Sequence, residues 1–173
     1  MGDEMSKVFF NSDLHLGHEG SLRWARDYRK GNNTQEMNQW LMDCANEVLT
    51  KRDTWYIVGD VCFDREDLHF LTQVPCRKVL VLGNHDKFQM GTYLKYFDKV
   101  CAYVKYKNFW VSHMPIHEYD MVNCRVLGNI HGHLHQNKIS DRRYHNVSIE
   151  QTHGYPIPFE DILRKHETRI LTT

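Results

Sequence analysis

One pattern constrains this chain more than any other: an apolar run that stops at a glycine and gives way at once to polar side chains. Val79-Leu80-Val81-Leu82 ends in Gly83-Asn84-His85-Asp86, and Thr54-Trp55-Tyr56-Ile57-Val58 ends in Gly59-Asp60. A strand buried on both faces reads as a continuous hydrophobic run, and in open α/β sheets the ligand site lies beyond the strand carboxyl ends. Lys7-Val8-Phe9-Phe10-Asn11-Ser12 reads as an earlier strand that turns polar at its exit into Asp13-Leu14-His15. Between these strands, Met37, Trp40, Leu41, Cys44 and Val48 recur at helical spacing, and Asn33 stands to Glu36 as in a capping box. Asp64 to Val74 reads as a short helix, capped by Asp64, with Leu68 and Leu71 inward and Pro75 ending it. Alternating strands and helices with long connections predict parallel pairing through right-handed crossovers, which brings Asp13, Asp60 and Asn84 to one sheet edge. Gly83 is expected to permit the turn there.

Beyond residue 98 the texture becomes more β-like. Val100–Tyr106 and Phe109–Ser112 flank Lys107-Asn108 as a hairpin would, and the second strand ends in Ser112-His113. Arg125–Ile130 then runs into His131-Gly132-His133-Leu134-His135, the densest histidine cluster. Tyr144–Ile149 reads as a further strand, and Pro158–His166 as a closing helix with Ile162 and Leu163 packed inward. Tyr93, Tyr96 and Phe97 read as a core face. If the backbone is extended, residues i and i+2 project to one side, so Asp13 and His15 can share one ion, and His133 and His135 have the same spacing.

Composition narrows the function classes. The 173 residues carry 22 Lys plus Arg against 22 Asp plus Glu, so nothing in the overall charge favours tight binding to long nucleic acid. Twelve histidines favour metal or proton chemistry. The five cysteines (Cys44, Cys62, Cys76, Cys101, Cys124) form no C-x-x-C pair, which argues for buried, reduced thiols. No apolar run reaches a membrane span and the acidic start is unlike a secretory signal, so a cytoplasmic protein of one domain, residues 1–173, is expected. Gly2 with Ser6 matches the loose N-myristoylation pattern, and Asn32-Asn33-Thr34 and Asn146-Val147-Ser148 match the glycosylation sequon.

Five strand ends thus carry Asp13-x-His15, Gly59-Asp60, Gly83-Asn84-His85-Asp86, Ser112-His113 and Gly132-His133-x-His135. In order and spacing this resembles the calcineurin-like metallophosphoesterases, whose pattern is D-x-H, G-D-x-x-D, G-N-H-[DE], a lone histidine after a strand, and G-H-x-H. One departure is that the acid after Gly59-Asp60 is Asp64, one residue late, which leaves Asp64 without an assigned role. The resemblance implies a four-layer α/β/β/α sandwich of two mixed β-sheets flanked by helices, and two divalent ions. Asp13, His15 and His135 would hold one ion, Asn84, His113 and His133 the other, with Asp60 bridging. A metal pair can hold phosphoryl oxygens, neutralise charge and supply hydroxide from water. His85 would stay free of metal and protonate the leaving oxygen, and Asp86 would orient it. The ligands are all nitrogen and oxygen, which suits Mn²⁺, Fe or Zn²⁺; the resemblance favours Mn²⁺.

His18 and His117 flank these motifs as candidate substrate contacts. Arg65, Lys87, Arg125 and Arg143 are candidates for phosphate contact or for solvated surface charge. The resemblance is closest to the small bacterial and phage-type members, including the tail from Asn146-Val147-Ser148 to Tyr155-Pro156-Ile157-Pro158. With no room for a cap domain, the expected substrate is a phosphodiester or small phosphorylated metabolite, such as a nucleotide. A phosphomonoesterase acting on a phosphoprotein is the second reading. A non-catalytic metal-binding scaffold is the third, and it predicts a missing ligand or acid, whereas all seven ligand positions and His85 are present.

Overall fold

The computed structural model describes residues 5–171; Gly2, and with it the acylation pattern, lies outside the described residues. Strands β1 (Val8–Asn11), β2 (Thr54–Ile57), β3 (Arg77–Val81) and β4 (Lys99–Cys101) come first. Strands β5 (Tyr103–Tyr106), β6 (Phe109–Ser112), β7 (Gly128–His131), β8 (Tyr144–Asn146) and β9 (Ile157–Pro158) follow. They make two mixed sheets, ordered β4-β3-β2-β1-β9 and β5-β6-β7-β8. In the first sheet β1 to β4 are parallel and β9 runs antiparallel to β1. In the second, β5 and β6 form the expected hairpin while β6, β7 and β8 are parallel.

Alternation along β1 explains the layering. Phe9 points into a core shared with Met37, Leu41, Ala45 and Leu68, on the helical side of the first sheet. Phe10, its neighbour, points into the core between the sheets with Val58, Val81, Val111 and Ile130. Successive strand side chains face opposite ways, so one strand feeds both cores. Helix α1 (Glu19–Trp24) and helix α2 (Thr34–Val48) precede β2, and the Asn33 side chain accepts the Glu36 N–H at 2.9 Å, the cap read from the sequence. Residues Arg65–Gln73 form a 3₁₀ helix whose cap is Asp64, which accepts the Glu66 N–H at 3.0 Å. Short helices α3 (Met90–Tyr93), α4 (Glu118–Asn123) and α5 (Ile149–Thr152) lie in the later connections. The chain closes with α6 (Phe159–Leu171). Tyr93 and Phe97 are buried in the helical-side core and Tyr96 packs against it.

Three local expectations change. The run Val100–Tyr106 divides at Ala102: Cys101 pairs with Val81 in the first sheet, and Tyr103 pairs with Ser112 in the second. Val100-Cys101-Ala102-Tyr103-Val104 is continuously apolar, so only the available partner strands reveal the change of sheet. Pro158 belongs to edge strand β9 and the helix starts at Phe159; an edge tolerates a residue with no N–H to donate. Helix α6 sends Phe159 and Ile162 into the core between the sheets. Of the thiols, Cys44, Cys62 and Cys76 are buried, but Cys124 is exposed. Among the described residues no helix is long and apolar enough to cross a membrane.

Candidate metal centre

The parallel arrangement places the exits of β1, β2 and β3 side by side, and the exits of β6 and β7 meet them across the sandwich. The Asp13 N–H donates to Gly59 O at 3.0 Å, the His15 N–H to Asp60 O at 3.0 Å, and the Gly132 N–H to His113 O at 2.9 Å. Two groups of side chains result, each with ligand atoms mutually within 4.8 Å: Asp13, His15 and His135, and Asp60, His113 and His133. Asn84 joins the second, its Oδ1 3.0 Å from His113 Nε2.

In the Asp13–His15–His135 group the spacings suit an ion better than hydrogen bonds. His15 Nε2 and His135 Nε2 each lie 3.8 Å from Asp13 Oδ1, beyond hydrogen-bond range. Two ligands each about 2.1 Å from one ion stand roughly 3–3.5 Å apart. Asp13 Oδ1 and His15 Nε2 are buried with no hydrogen-bond partner among the described residues. An orphaned carboxylate oxygen facing an orphaned imidazole nitrogen is costly unless a cation lies between them. The residues therefore fit a divalent ion.

The backbone at the ligands departs from the extended geometry expected of D-x-H and H-x-H. Asp13, His15, Asp60, His133 and His135 all have positive φ, between 50° and 68°. Such a conformation costs on the order of 1–3 kcal/mol per non-glycine residue and concentrates at functional sites. In each i, i+2 pair both members are bent into the left-handed region; Asp13 and His15 then reach one group, whereas His133 and His135 reach different ones. Glycines supply the room. Gly83 does not have a left-handed φ; its role is close approach, since a Cβ there would overlap Asp60 Oδ1 and the Asp60 nitrogen. Gly59 does have one, φ +85°, and lies under the His113 ring.

Electrostatics follow from the crowding. Burial works against charge on Asp13, but the His15 imidazole beside it and the nearby His113 and His135 hold its carboxyl well below the usual range. Burial likewise opposes charge on His113, yet Asp60 and Asp13 push it up to about 9. His15 moves down, chiefly because it is buried.

Around the ligands is a polar frame that sequence reading missed. Arg29 and Glu150 are both buried; Arg29 Nε and Nη2 donate to Glu150 Oε1 at 3.0 and 2.8 Å. The same guanidinium caps Leu14 O at 2.8 Å and Asp13 O at 2.6 Å. Glu150 Oε2 lies 3.1 Å from His135 Nδ1, leaving Nε2 to face Asp13. Arg29 sits in the polar run Arg26-Asp27-Tyr28-Arg29-Lys30, which carries no local sign of burial.

Asp86 does not orient His85 by a bond to its ring. Its carboxylate accepts the N–H groups of Gly83 (2.7 Å), Asp60 (2.9 Å) and Val61 (3.0 Å), tying the β3 exit to the β2 exit. The His85 N–H donates to Asp60 Oδ1 at 2.9 Å, and its exposed ring lies 4.8 Å from Phe63 and 6.2 Å from His15, between centroids. His18 stacks on Phe63 at 4.1 Å and reaches His15 Nδ1 at 3.2 Å, so it borders the centre. His117 is an exposed ring that caps α4, accepting the Tyr119 N–H at 3.2 Å. Arg143 is engaged by Asp141 and Glu118, while Arg65, Lys87 and Arg125 are exposed.

A cavity of about 620 Å³ opens beside Asn84 and His113. Tyr103, Trp110 and Ser112, from β5 and β6, line one side, with Met114, Ile116 and α4 residue Asp120 around it.

Comparison with known proteins agrees with this arrangement. The family model described as calcineurin-like phosphoesterase matches residues 6–172. An uncharacterised protein of Methanocaldococcus jannaschii, MJ1445, is 28% identical over 171 residues, covering 92% of this chain and 91% of its own. The gene 66 protein of Mycobacterium phage L5 is 27% identical, over 84% of this chain and 85% of its own. The crystal structure of a protein of unknown function from Aquifex aeolicus, AQ665, superposes with a TM-score of 0.72 at 25% identity. That match covers 92% of this chain and 98% of the other.

Proposed function

Because the chain belongs to the calcineurin-like phosphoesterases, and so to a family of hydrolases, we propose that it hydrolyses a small phosphodiester at a two-metal centre. One atom carries the reading: Asp60 Oδ2 lies 3.7 Å from His15 Nε2 and 3.3 Å from His113 Nε2. A single carboxylate oxygen between a histidine of each group is where a bridging ligand belongs. Asp13, His15 and His135 would hold one ion and Asn84, His113 and His133 the other. Mn²⁺ is the first choice, and the nitrogen and oxygen donors also admit Fe or Zn²⁺. Divalent cations there would neutralise phosphoryl charge and activate water for attack on phosphorus. His85, exposed and outside both groups, protonates the departing oxygen, with Asp86 holding its loop against the β2 exit.

A diester is favoured over a monoester by the layout. His85 stands on the Phe63 side of the centre and the apolar cavity on the Asn84–His113 side. A substrate using both has two organic substituents on phosphorus. Long nucleic acid is disfavoured: among the described residues lining the cavity are Asp120 and no Lys or Arg. We place the activity in the cytoplasm, on a small phosphorylated substrate.

Hydrolysis of chromogenic mono- and diesters with added Mn²⁺, against a chelated control, tests the proposal; turnover of neither ester by metal-loaded protein would refute it. His85→Ala should keep both ions and lose about 10²–10⁴-fold on an alkyl ester, the range of general acid catalysis. Full rate in that variant would remove His85 from the mechanism.

A further inference from the structure

The cavity beside Asn84 and His113 is larger than a phosphoryl group needs, and its walls differ from those of the metal centre. Its volume of about 620 Å³ falls within the range of sites that enclose a whole organic molecule. Tyr103 and Trp110 meet edge to face at 5.5 Å on one side. Tyr103 is 63% exposed and Met114 50% exposed, so large apolar surface faces solvent at a place contiguous with the polar centre. Ser112 donates inward to Met114 O at 2.7 Å and also accepts from Asn129 Nδ2 at 3.0 Å, so its polar atom is already engaged. Among the described residues of the lining, Asp120 is the only acid, and no Lys or Arg offsets it.

We infer that this cavity binds an uncharged, aromatic substituent of nucleoside size, the one that stays on phosphorus after hydrolysis, with Tyr103 and Trp110 as its stacking surface. The inference rests on the proposed phosphodiesterase reading and adds the substrate class. Continuity with Asn84 and His113 ties the occupant to the reacting phosphoryl group. The lone carboxylate repels a second phosphate and can accept hydrogen bonds from a base or sugar. A small alkyl group or quaternary ammonium head would leave most of the volume unfilled. In the reaction, water adds to phosphorus and the bond to the other substituent breaks. That oxygen departs with the electron pair and takes its proton from His85, so the monoester remains with its aromatic group in the cavity.

Three diesters sharing a p-nitrophenolate leaving group, with methyl, phenyl or thymidine 5′-yl as the retained substituent, isolate the effect. KM should fall at least ~10-fold from methyl to thymidine, the scale of one base–aromatic stack. Independently of turnover, thymidine monophosphate should bind Mn²⁺-loaded protein at least ~10-fold more tightly than inorganic phosphate by calorimetry. Both margins should shrink to within ~3-fold in Trp110→Ala and in Tyr103→Ala, since each removes a stacking face. Tyr103→Ala, at an exposed position, keeps the test valid if Trp110→Ala folds poorly. Equal binding of thymidine monophosphate and phosphate, or margins that survive both substitutions, overturns the inference. Turnover of the methyl diester without aromatic gain rejects the cavity's role and leaves the phosphodiesterase reading standing. Failure to turn over any diester, with the binding preference intact, rejects that reading and supports the cavity as a binding site.

Discussion

Replacing Arg29 by Met tests the frame behind the metal centre. Both side chains of the Arg29–Glu150 pair are fully buried, and the guanidinium makes four hydrogen bonds to oxygen, two to Glu150 Oε1, one to Leu14 O and one to Asp13 O, besides a longer one to Met37 Sδ at 3.9 Å. The methionine fills similar volume but leaves the Glu150 carboxylate with His135 as its chief remaining partner and strands two carbonyls on the segment that carries Asp13 and His15. Burial alone would raise the Glu150 pKa; His135 and Arg29 now hold it below the ordinary value, and the Arg29 part of that support disappears. Breaking a buried pair from one side costs about 3–5 kcal/mol, and the stranded carbonyls place this case near the upper end. For a chain of this length that is roughly a 6–20 °C drop in Tm. Urea unfolding in chelator measures it without contribution from metal. Arg29→Met/Glu150→Leu should recover about 1–4 kcal/mol of the loss, because no unpaired charge is then buried. Arg29→Met within about 1 kcal/mol of the wild type, or a double variant as poor as the sum of the singles, would refute the reasoning.

Other outcomes follow from the same geometry. Glu150→Gln should weaken ion binding at Asp13–His15–His135 about 10–100-fold by titration, while the Asp60–His113–His133 group changes little. If each ion site is filled at 100 times its Kd, Mn²⁺ should raise stability by about 2.7 kcal/mol per site over the chelated protein, and a thermal shift reads this directly. Gly83→Ala must displace Asp60, so it should lower affinity in both groups together. Asp53, which accepts the Lys7 N–H and the Thr50 N–H and hydroxyl at 2.8 Å each, is held below its ordinary 3.8 by those donors against the effect of burial. Its contribution is therefore full above pH 3.8 and lost as pH falls through the folded value; Asp53→Asn should flatten this part of the acid unfolding curve.

Much of this protein is legible in one dimension because local pattern and tertiary need coincide. Val79–Leu82 reads as a buried strand, which β3 confirms through Val81, and a strand buried on both faces in an α/β chain delivers Gly83-Asn84-His85 to a shared edge. The five short motifs contain all seven candidate ligands, and their resemblance to a known family supplied the ligand set and the two-sheet architecture. Assignments that depended on a single segment's neighbours were not legible in this way. The break at Ala102 has no local signal, since the apolar run Val100–Val104 passes through it without a turn residue. Asp86 looked like a partner for the His85 ring, but the β2 exit presents three N–H groups that compete for its carboxylate. His117 also caps α4, a role that its own stretch does not announce. Arg29 and Glu150 are separated by 121 positions, and their pairing has no expression in either stretch. The left-handed bends at Asp13, His15, Asp60, His133 and His135 belong to the same class. No propensity favours five such bends; the packing of two sheets against one polar centre imposes them. Sequence alone determined which chemical groups reach the carboxyl edge. Tertiary structure decided which of them touch, because hydrogen-bond competition and close packing act between segments that the chain order keeps apart.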